Sequence, residues 1–373
     1  EPGKTEYRQL KFLADHADPK IRALSQELRI YTLGKDDISP FRFNPFQYPE
    51  GITRDEHIGQ LLTCFEASMP LGGPLQALLA ESLEKVYSGE SRCSGNDRSR
   101  LPNMSDLVYT AKTVMADKGY EGEVRSNLSA AIDVRLSSLT RLNVGTIFDC
   151  RHSLPSIRDL LAHPTIIEVQ NLNPDQACLL IMFLLSAILE EIRVSRTYGK
   201  KLQHATVIEE AHNIVGRMEQ AQPSSEFADP KAYAAEHIVR MLAEIRALGE
   251  GIIIADQLPS AVAASVVKNT GTKLAHRLVS LVDREDLGGA MLLQGEQMEE
   301  IARLEPGQAY YFTEGLYAPL QINGLDSQTF LGLNEKNPPD NHQLQEKVAK
   351  EEWQIALKKR RYGEKIHALT EAL

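Results

Sequence analysis

Six short runs rich in β-branched residues, at 30–33, 165–169, 205–208, 251–255, 272–278 and 309–312, are separated by longer stretches whose apolar residues recur at helical spacing. That alternation predicts an α/β chain, because parallel strands need connections long enough to hold a helix. Between the third and fourth runs, residues 231–247 set Ala235, Ile238, Met241, Leu242 and Ile245 on one helical face, and Gly249 is placed to end that helix. Val207-Ile208 and Ile252-Ile253-Ile254 do not alternate with polar residues, the pattern of central strands covered on both faces. The expected fold is a mostly parallel sheet flanked by helices.

Strand signals nearly vanish between residues 51 and 146, where 57–69, 74–87, 104–116 and 124–142 all read as helices. The expected organisation is a first part of the core at 1–50, a helical insertion at 51–150, the remainder of the core at 151–333, and a helical tail at 334–373. Within the insertion, residues 88–102 are polar, contain Gly and Ser, and read as a loop. The breaker Asn337-Pro338-Pro339-Asp340 introduces the tail, a charged helical pattern over 343–373. There Lys358-Lys359-Arg360-Arg361 follows Trp353, Ile355 and Leu357; this basic amphipathic stretch suits a partner, DNA or packing on its own protein.

Forty-one Lys and Arg against 51 Asp and Glu leave a net charge of −10, which excludes wholesale coating of nucleic acid and confines any such contact to local patches. With 42% hydrophobic and 25% charged residues, general disorder is excluded. The longest apolar stretch, 177–189, is bounded by Asp175 and Glu190-Glu191 and falls short of the roughly 20 residues that span a bilayer, so it reads as a buried helix and no membrane partner is expected. Cys64, Cys93, Cys150 and Cys178 are scattered, without the close pairs of a zinc site or disulfide framework, and a reducing, cytoplasmic location fits them. The chain opens at Glu1 with no charged-then-apolar leader, and upstream sequence is expected to be missing.

The most informative segment is ATVIEEAH, residues 205–212, where four residues of strand character deliver Glu209 and Glu210 to the strand's carboxyl end. Ligands of open α/β sheets bind at such ends. In a nucleotide hydrolase the first acid holds the water shell of a magnesium ion and the second polarises the attacking water; the same pair also suits the solvated start of a helix. A second strand run, GIIIADQLP at 251–259, ends in Gln257, either a ligand for a γ-phosphate and its water or a polar cap on a strand-to-loop junction. Arg246, in AEIRALGEG, stands at a helix end, where an arginine serves the macrodipole, a surface ion pair, or a phosphate through its fixed charge and forked donors.

VIEEAHN, AEIRALGEGIIIADQLPS and VVKNTGTKLAHRLVSLVDRED, in that order, resemble the HerA-like and FtsK-like branch of RecA-fold motor ATPases. In that branch a hydrophobic strand ends in a Walker B acidic pair, an arginine precedes the next strand, and that strand ends in a sensor Gln followed by Pro. The opening EPGKTEYR resembles the strand after the family's phosphate loop, with Glu1-Pro2 and Glu6-Tyr7 matching its acid-Pro and Glu-Tyr pairs. The likeness covers roughly residues 1–33 and 165–320. It implies that Glu209 and Glu210 are the Walker B and catalytic acids, with Glu209 on Mg2+ through water, and that Gln257 is the sensor. It further implies that Arg246 is an arginine finger reaching a neighbouring subunit, with Arg277 and Arg284 as substitutes, and that Glu1, Glu209, Arg277 and Arg284 lie at the nucleotide.

The implied cofactors are ATP and Mg2+, and the implied assembly is a homo-oligomer, a hexameric ring moving along double-stranded DNA, beside a nuclease or other effector and in some bacterial relatives in phage defence. The phosphate loop G-x-x-x-x-G-K-[ST] is not in this chain: Gly3-Lys4-Thr5 mimics only its end, and Pro2 lacks an N–H donor. Three readings follow: a DNA translocase or helicase subunit, a catalytically silent ring scaffold, and a signalling ATPase that ignores nucleic acid. Candidate DNA contacts are Lys268-Asn269-Thr270, Arg141-Leu142-Asn143 and the loop around Arg98 and Arg100, each of which also reads as ordinary solvated surface. His204, His212, His237 and His276 lack metal-ligand spacing apart from the Glu-x-His of Glu210 and His212, so no zinc site is expected.

Overall fold

The computed structural model describes residues 5–36, 38–69, 71, 73–88, 101–199, 201–217, 230–333 and 337–348. After a 3-10 helix at Glu6–Asp15 come α1 (Pro19–Glu27), β1 (Arg29–Thr32), α2 (Arg54–Ser68), α3 (Pro74–Ser88), α4 (Met104–Asp117) and α5 (Gly122–Ala131). There follow α6 (Leu142–Phe148), α7 (Ile157–Ala162), β2 (Thr165–Glu168), α8 (Pro174–Ser195), β3 (His204–Glu209), α9 (Pro230–Ile245) and β4 (Glu250–Ala255). The remainder holds α10 (Ala264–Asn269), β5 (Thr272–Ala275), α11 (Leu281–Asp283), α12 (Glu296–Glu300), β6 (Gln308–Thr313), β7 (Leu320–Asn323), α13 (Ser327–Phe330) and α14 (Asn341–Val348). The chain divides into two compact units, residues 1–48, 74–177 and 333–373 in one, and 49–73 and 178–332 in the other.

In the first unit β1 and β2 pair in parallel, from Arg29 opposite Thr165 to Thr32 opposite Glu168. Arg8 is almost wholly buried, and its Nε and Nη2 donate to both oxygens of Glu168 at 2.6 Å each. Burial of that charge is tolerable only because the carboxylate answers it. Its Nη1 donates to Asn341 Oδ1 at 2.9 Å and Pro339 O at 3.3 Å, so the same guanidinium fastens the start of α14 to the carboxyl ends of β1 and β2. Leu344 completes this anchorage in a cluster with Leu28, Ile30 and Ile38.

A single helix expected over 124–142 is instead α5, a π turn at Ile132–Leu136 and a 3-10 turn at Ser137–Thr140. The hydroxyls of Ser138 and Thr140 donate back to the carbonyls of Arg135 and Ser137, and this local competition with helical bonding accounts for the change.

In the second unit β3 and β4 run parallel, joined through α9 as expected, and α2 begins with a capping box formed by Thr53 and Glu56. The fold is α/β, but β5, β6 and β7 form an antiparallel sheet. The short connection between β6 and β7 allows a hairpin and no crossover, which dictates the direction of that pair; the long connection 276–307 between β5 and β6 leaves theirs open. Val207 and Ile253, opposite each other in the β3–β4 ladder, are 57% and 54% exposed, so that face is open among the described residues where coverage on both sides was expected. Ala177 to Leu189 falls within α8, whose buried residues include Leu179, Leu180, Met182 and Phe183. No helix among the described residues is long and apolar enough to cross a membrane. Cys64, Cys150 and Cys178 are free thiols; Cys93 lies outside the described residues.

Candidate functional site

The paired register of β3 and β4 sets Glu209 opposite Ala255, so the acids and the Asp256-Gln257 step emerge at the same carboxyl rim. Glu209 is exposed and Glu210 half-buried. Glu210 has φ 50° and ψ 48°, a left-handed backbone uncommon outside glycine, and it turns the chain abruptly from the strand into a 3-10 turn at Ala211–Asn213. Gln257 is exposed two residues beyond Ala255.

Asp256 ties the two post-strand loops together. Its Oδ2 accepts from the backbone N–H of His212 at 2.8 Å and lies 2.9 Å from His212 Nδ1, while its Oδ1 accepts from the N–H of Leu258 at 2.8 Å. The carboxylate thus fixes the loop after β3 from the loop after β4. Further on, the Arg217 N–H donates to Ala261 O and the Ala263 N–H to Val215 O at 2.9 Å, so the two loops pair again. The Ser260 N–H donates to Asp283 Oδ1 at 2.9 Å; burial pushes that carboxyl up, but hydrogen bonds from Ser260 and Ser280 outweigh it and hold Asp283 below its usual range.

Sequence reasoning missed Asp256 and His212 as a joint brace. Its one local signal is an acid two residues before a backbone N–H it can accept, the turn-forming habit of Asp before Leu258-Pro259.

Arg246 stands at the other end of β4, ahead of its first residue, so the length of the strand, roughly 20 Å, separates it from Gln257. Its side chain is 80% exposed and lies 3.5 Å from Glu314. That end of the sheet is built differently: Glu250 is buried, with Oε1 2.6 Å from His204 Nδ1 and accepting from Thr206 Oγ1, and Oε2 accepting from Arg196 at 3.1 Å. Arg277 is exposed just past β5. Arg284 is half-buried and donates from Nη1 to the Met298 carbonyl at 3.0 Å. Glu1 lies outside the described residues, as do Arg98, Arg100 and Lys358 to Arg361. Asn269 and Thr270 bond back to Ser265 O and Val267 O within their own turn.

Among the described residues no group of three or more His, Cys, Asp or Glu side chains could hold a metal ion alone. Glu209 and Glu210 nevertheless fit Mg2+, which keeps several waters and takes one or two carboxylates, with phosphate oxygens completing its shell. Gly3 and Lys4, the part of the chain that mimics a phosphate loop, lie outside the described residues.

No protein-family model and no curated protein matches this chain. Among solved structures, VirB4 of Thermoanaerobacter pseudethanolicus superimposes with a TM-score of 0.55 at 15% identity, over 88% of this chain and 89% of that one. The bacterial conjugative coupling protein TrwB, in its unbound form, gives 0.50 at 13% identity over 87% of this chain and 83% of its own. The fold is RecA-like. TrwB in complex with ADP and Mg2+ gives the same score at 14% identity, over 90% of this chain and 86% of that chain. At such identities the likeness is one of fold.

Proposed function

We propose that this chain is the core of an ATP-hydrolysing subunit of a ring that translocates along double-stranded DNA. The observation that carries this reading is the β3–β4 pair, whose shared carboxyl rim carries Glu209, Glu210 and Gln257. In this reading Glu209 accepts hydrogen bonds from the water shell of Mg2+, and Glu210 takes the proton of the attacking water. Gln257 donates its amide to the terminal phosphate or to that water. The ion, when bound, neutralises charge on the phosphates. The brace through Asp256 keeps both loops in one geometry, which matters because a displacement of about 1 Å can cost a hundredfold in rate.

Arg246 acts in trans. It is too far along β4 to reach the acids of its own chain, and its exposure together with its forked donors suits a neighbouring copy's nucleotide. Arg277 and Arg284 are the substitutes, and Arg284 is the less available because it already serves the Met298 carbonyl. The ring is a homo-oligomer, a hexamer, with residues 51–150 inserted in its ATPase core and 334–373 as its tail. A nuclease or other effector as partner, and a role in antiviral defence, extend the same reading from the sequence resemblance alone. TrwB has been seen with ADP and Mg2+, which makes that pair the first ligand to try here.

The test is phosphate release by the full-length protein with ATP and Mg2+, with and without duplex DNA. Release stimulated by duplex supports the translocase. Release indifferent to DNA removes the nucleic-acid part, and no release leaves a silent ring scaffold.

A further inference from the structure

Where the 3-10 turn Ser137–Thr140 runs into the start of α6 the chain makes a knuckle, Arg141-Leu142-Asn143, all three residues exposed. Leu142 is 90% exposed and has φ 53°, a left-handed backbone that a leucine adopts only when its surroundings impose it. The surroundings do so from two sides. A Cβ on buried Gly145 would lie 2.4 Å from the Thr140 carbonyl oxygen, so only glycine lets the turn press against α6. A Cβ on Gly34, itself at φ +76°, would lie 3.3 Å from Asn143 Cβ.

Below the knuckle Leu139, Ile147 and Phe148 are fully buried, and the Phe43 N–H donates to Ile147 O at 2.8 Å. An apolar side chain is therefore held out into solvent on a rigid base. Beside it, exposed Arg141 acts on Asp133 through its charge, while the hydrogen bonds to that carboxylate come from Lys112 at 2.7 Å and Ser137 at 3.1 Å.

We propose that this knuckle is a wedge for duplex DNA: Leu142 enters the minor groove against a base step while Arg141 pairs with a flanking phosphate and Asn143 offers an amide to the groove edge. The inference rests on the reading of the chain as a duplex translocase and names where the duplex is gripped. Apolar wedges flanked by Arg or Asn are how proteins part base steps from the minor groove, and the phosphates supply most of the affinity. A second copy of the chain fits less well. Leucine is under-represented among the residues that dominate protein interfaces. Two cations, Arg141 and Lys112, surround the single carboxylate of Asp133, so the surface beside the leucine carries a local positive excess that a phosphate can meet even though the chain as a whole is acidic.

Leu142→Asn tests this without threatening the fold, because Asn tolerates the left-handed backbone, and Leu142→Gly serves as a second variant. The full-length protein is titrated against a fluorescent duplex over a range of salt, with thermal melting and light scattering alongside. Both variants are expected to melt at or above the wild-type temperature while binding duplex roughly tenfold more weakly, with the salt dependence unchanged. Arg141→Gln is expected to lower the slope of log Kd against log salt by about one. Wild-type affinity in both Leu142 variants, with the wild type binding duplex normally, overturns the wedge and leaves the translocase standing. Loss of oligomer mass in those variants overturns it in favour of a contact between copies. A wild type that does not bind duplex removes the wedge and the translocase together.

Discussion

Asp256 carries the site's precision, although its neighbours carry the chemistry proposed for it. One carboxylate receives two backbone N–H groups and faces an imidazole nitrogen, from two different loops. Asp256→Ala removes the acceptor and leaves His212 and Leu258 N–H groups to find water, freeing the loop that carries Glu210. Turnover is expected to fall about 10–100-fold, with nucleotide affinity nearly kept, because a positioning loss weighs on the reacting geometry more than on binding. Steady-state hydrolysis and nucleotide titration, measured side by side, separate the two. Equal losses in both would show Asp256 to be structural only. The sequence offered only the local half of this role, an Asp poised to accept from the N–H two residues on; the other half depends on a backbone N–H 44 positions away.

Helices α2, α8 and α9 meet through a buried polar seam. His57 Nδ1 lies 2.8 and 3.0 Å from the two oxygens of Glu190, and Ser186 Oγ lies 3.2 Å from Cys64 Sγ and 3.1 Å from His237 Nε2. Burial pushes the Cys64 thiol up to about 12, which makes it an inert hydrogen-bonding group. Burial first, then the charges of Arg240 and Arg193, lowers His237 from 6.5 to about 4. The unfolded chain therefore takes up this proton before the folded one. Stability is complete above pH 6.5 and declines as pH falls towards 4, by roughly 3 kcal/mol from this group. Urea midpoints between pH 7 and 4.5 are expected to fall less steeply in His237→Gln than in the wild type; parallel curves would remove the assignment.

The helices of this seam were legible from their spacing, and so were six of the strands, because β-branched runs and 3.6-residue periodicity are local properties. Strand direction was not, since Thr272-Lys273-Leu274-Ala275 reads alike in either ladder, and β7, with exposed Leu320 and Gln321, lacks a buried face to announce it. The sharing of one rim by Glu209 and Gln257 was legible because both follow directly on apolar runs; the brace that fixes the rim was not.

At the scale of the whole molecule, an arginine at one end of β4 and acids at the other make a single copy incomplete for the proposed chemistry. Mixing two inactive proteins tests that geometry. Arg246→Ala supplies intact acids, Glu210→Gln supplies an intact arginine, and random assembly restores roughly a quarter of the junctions between copies. Recovered hydrolysis on mixing is expected, and its absence, with both variants still assembling together, would place the arginine's action within its own chain.

The most direct measurement is single-turnover ATP cleavage by full-length Glu210→Gln, with ATP binding followed on the same samples. Binding is expected to persist while cleavage drops by about 100-fold or more. Cleavage at the wild-type rate would mean that the rim formed by β3 and β4 is not where phosphate is transferred.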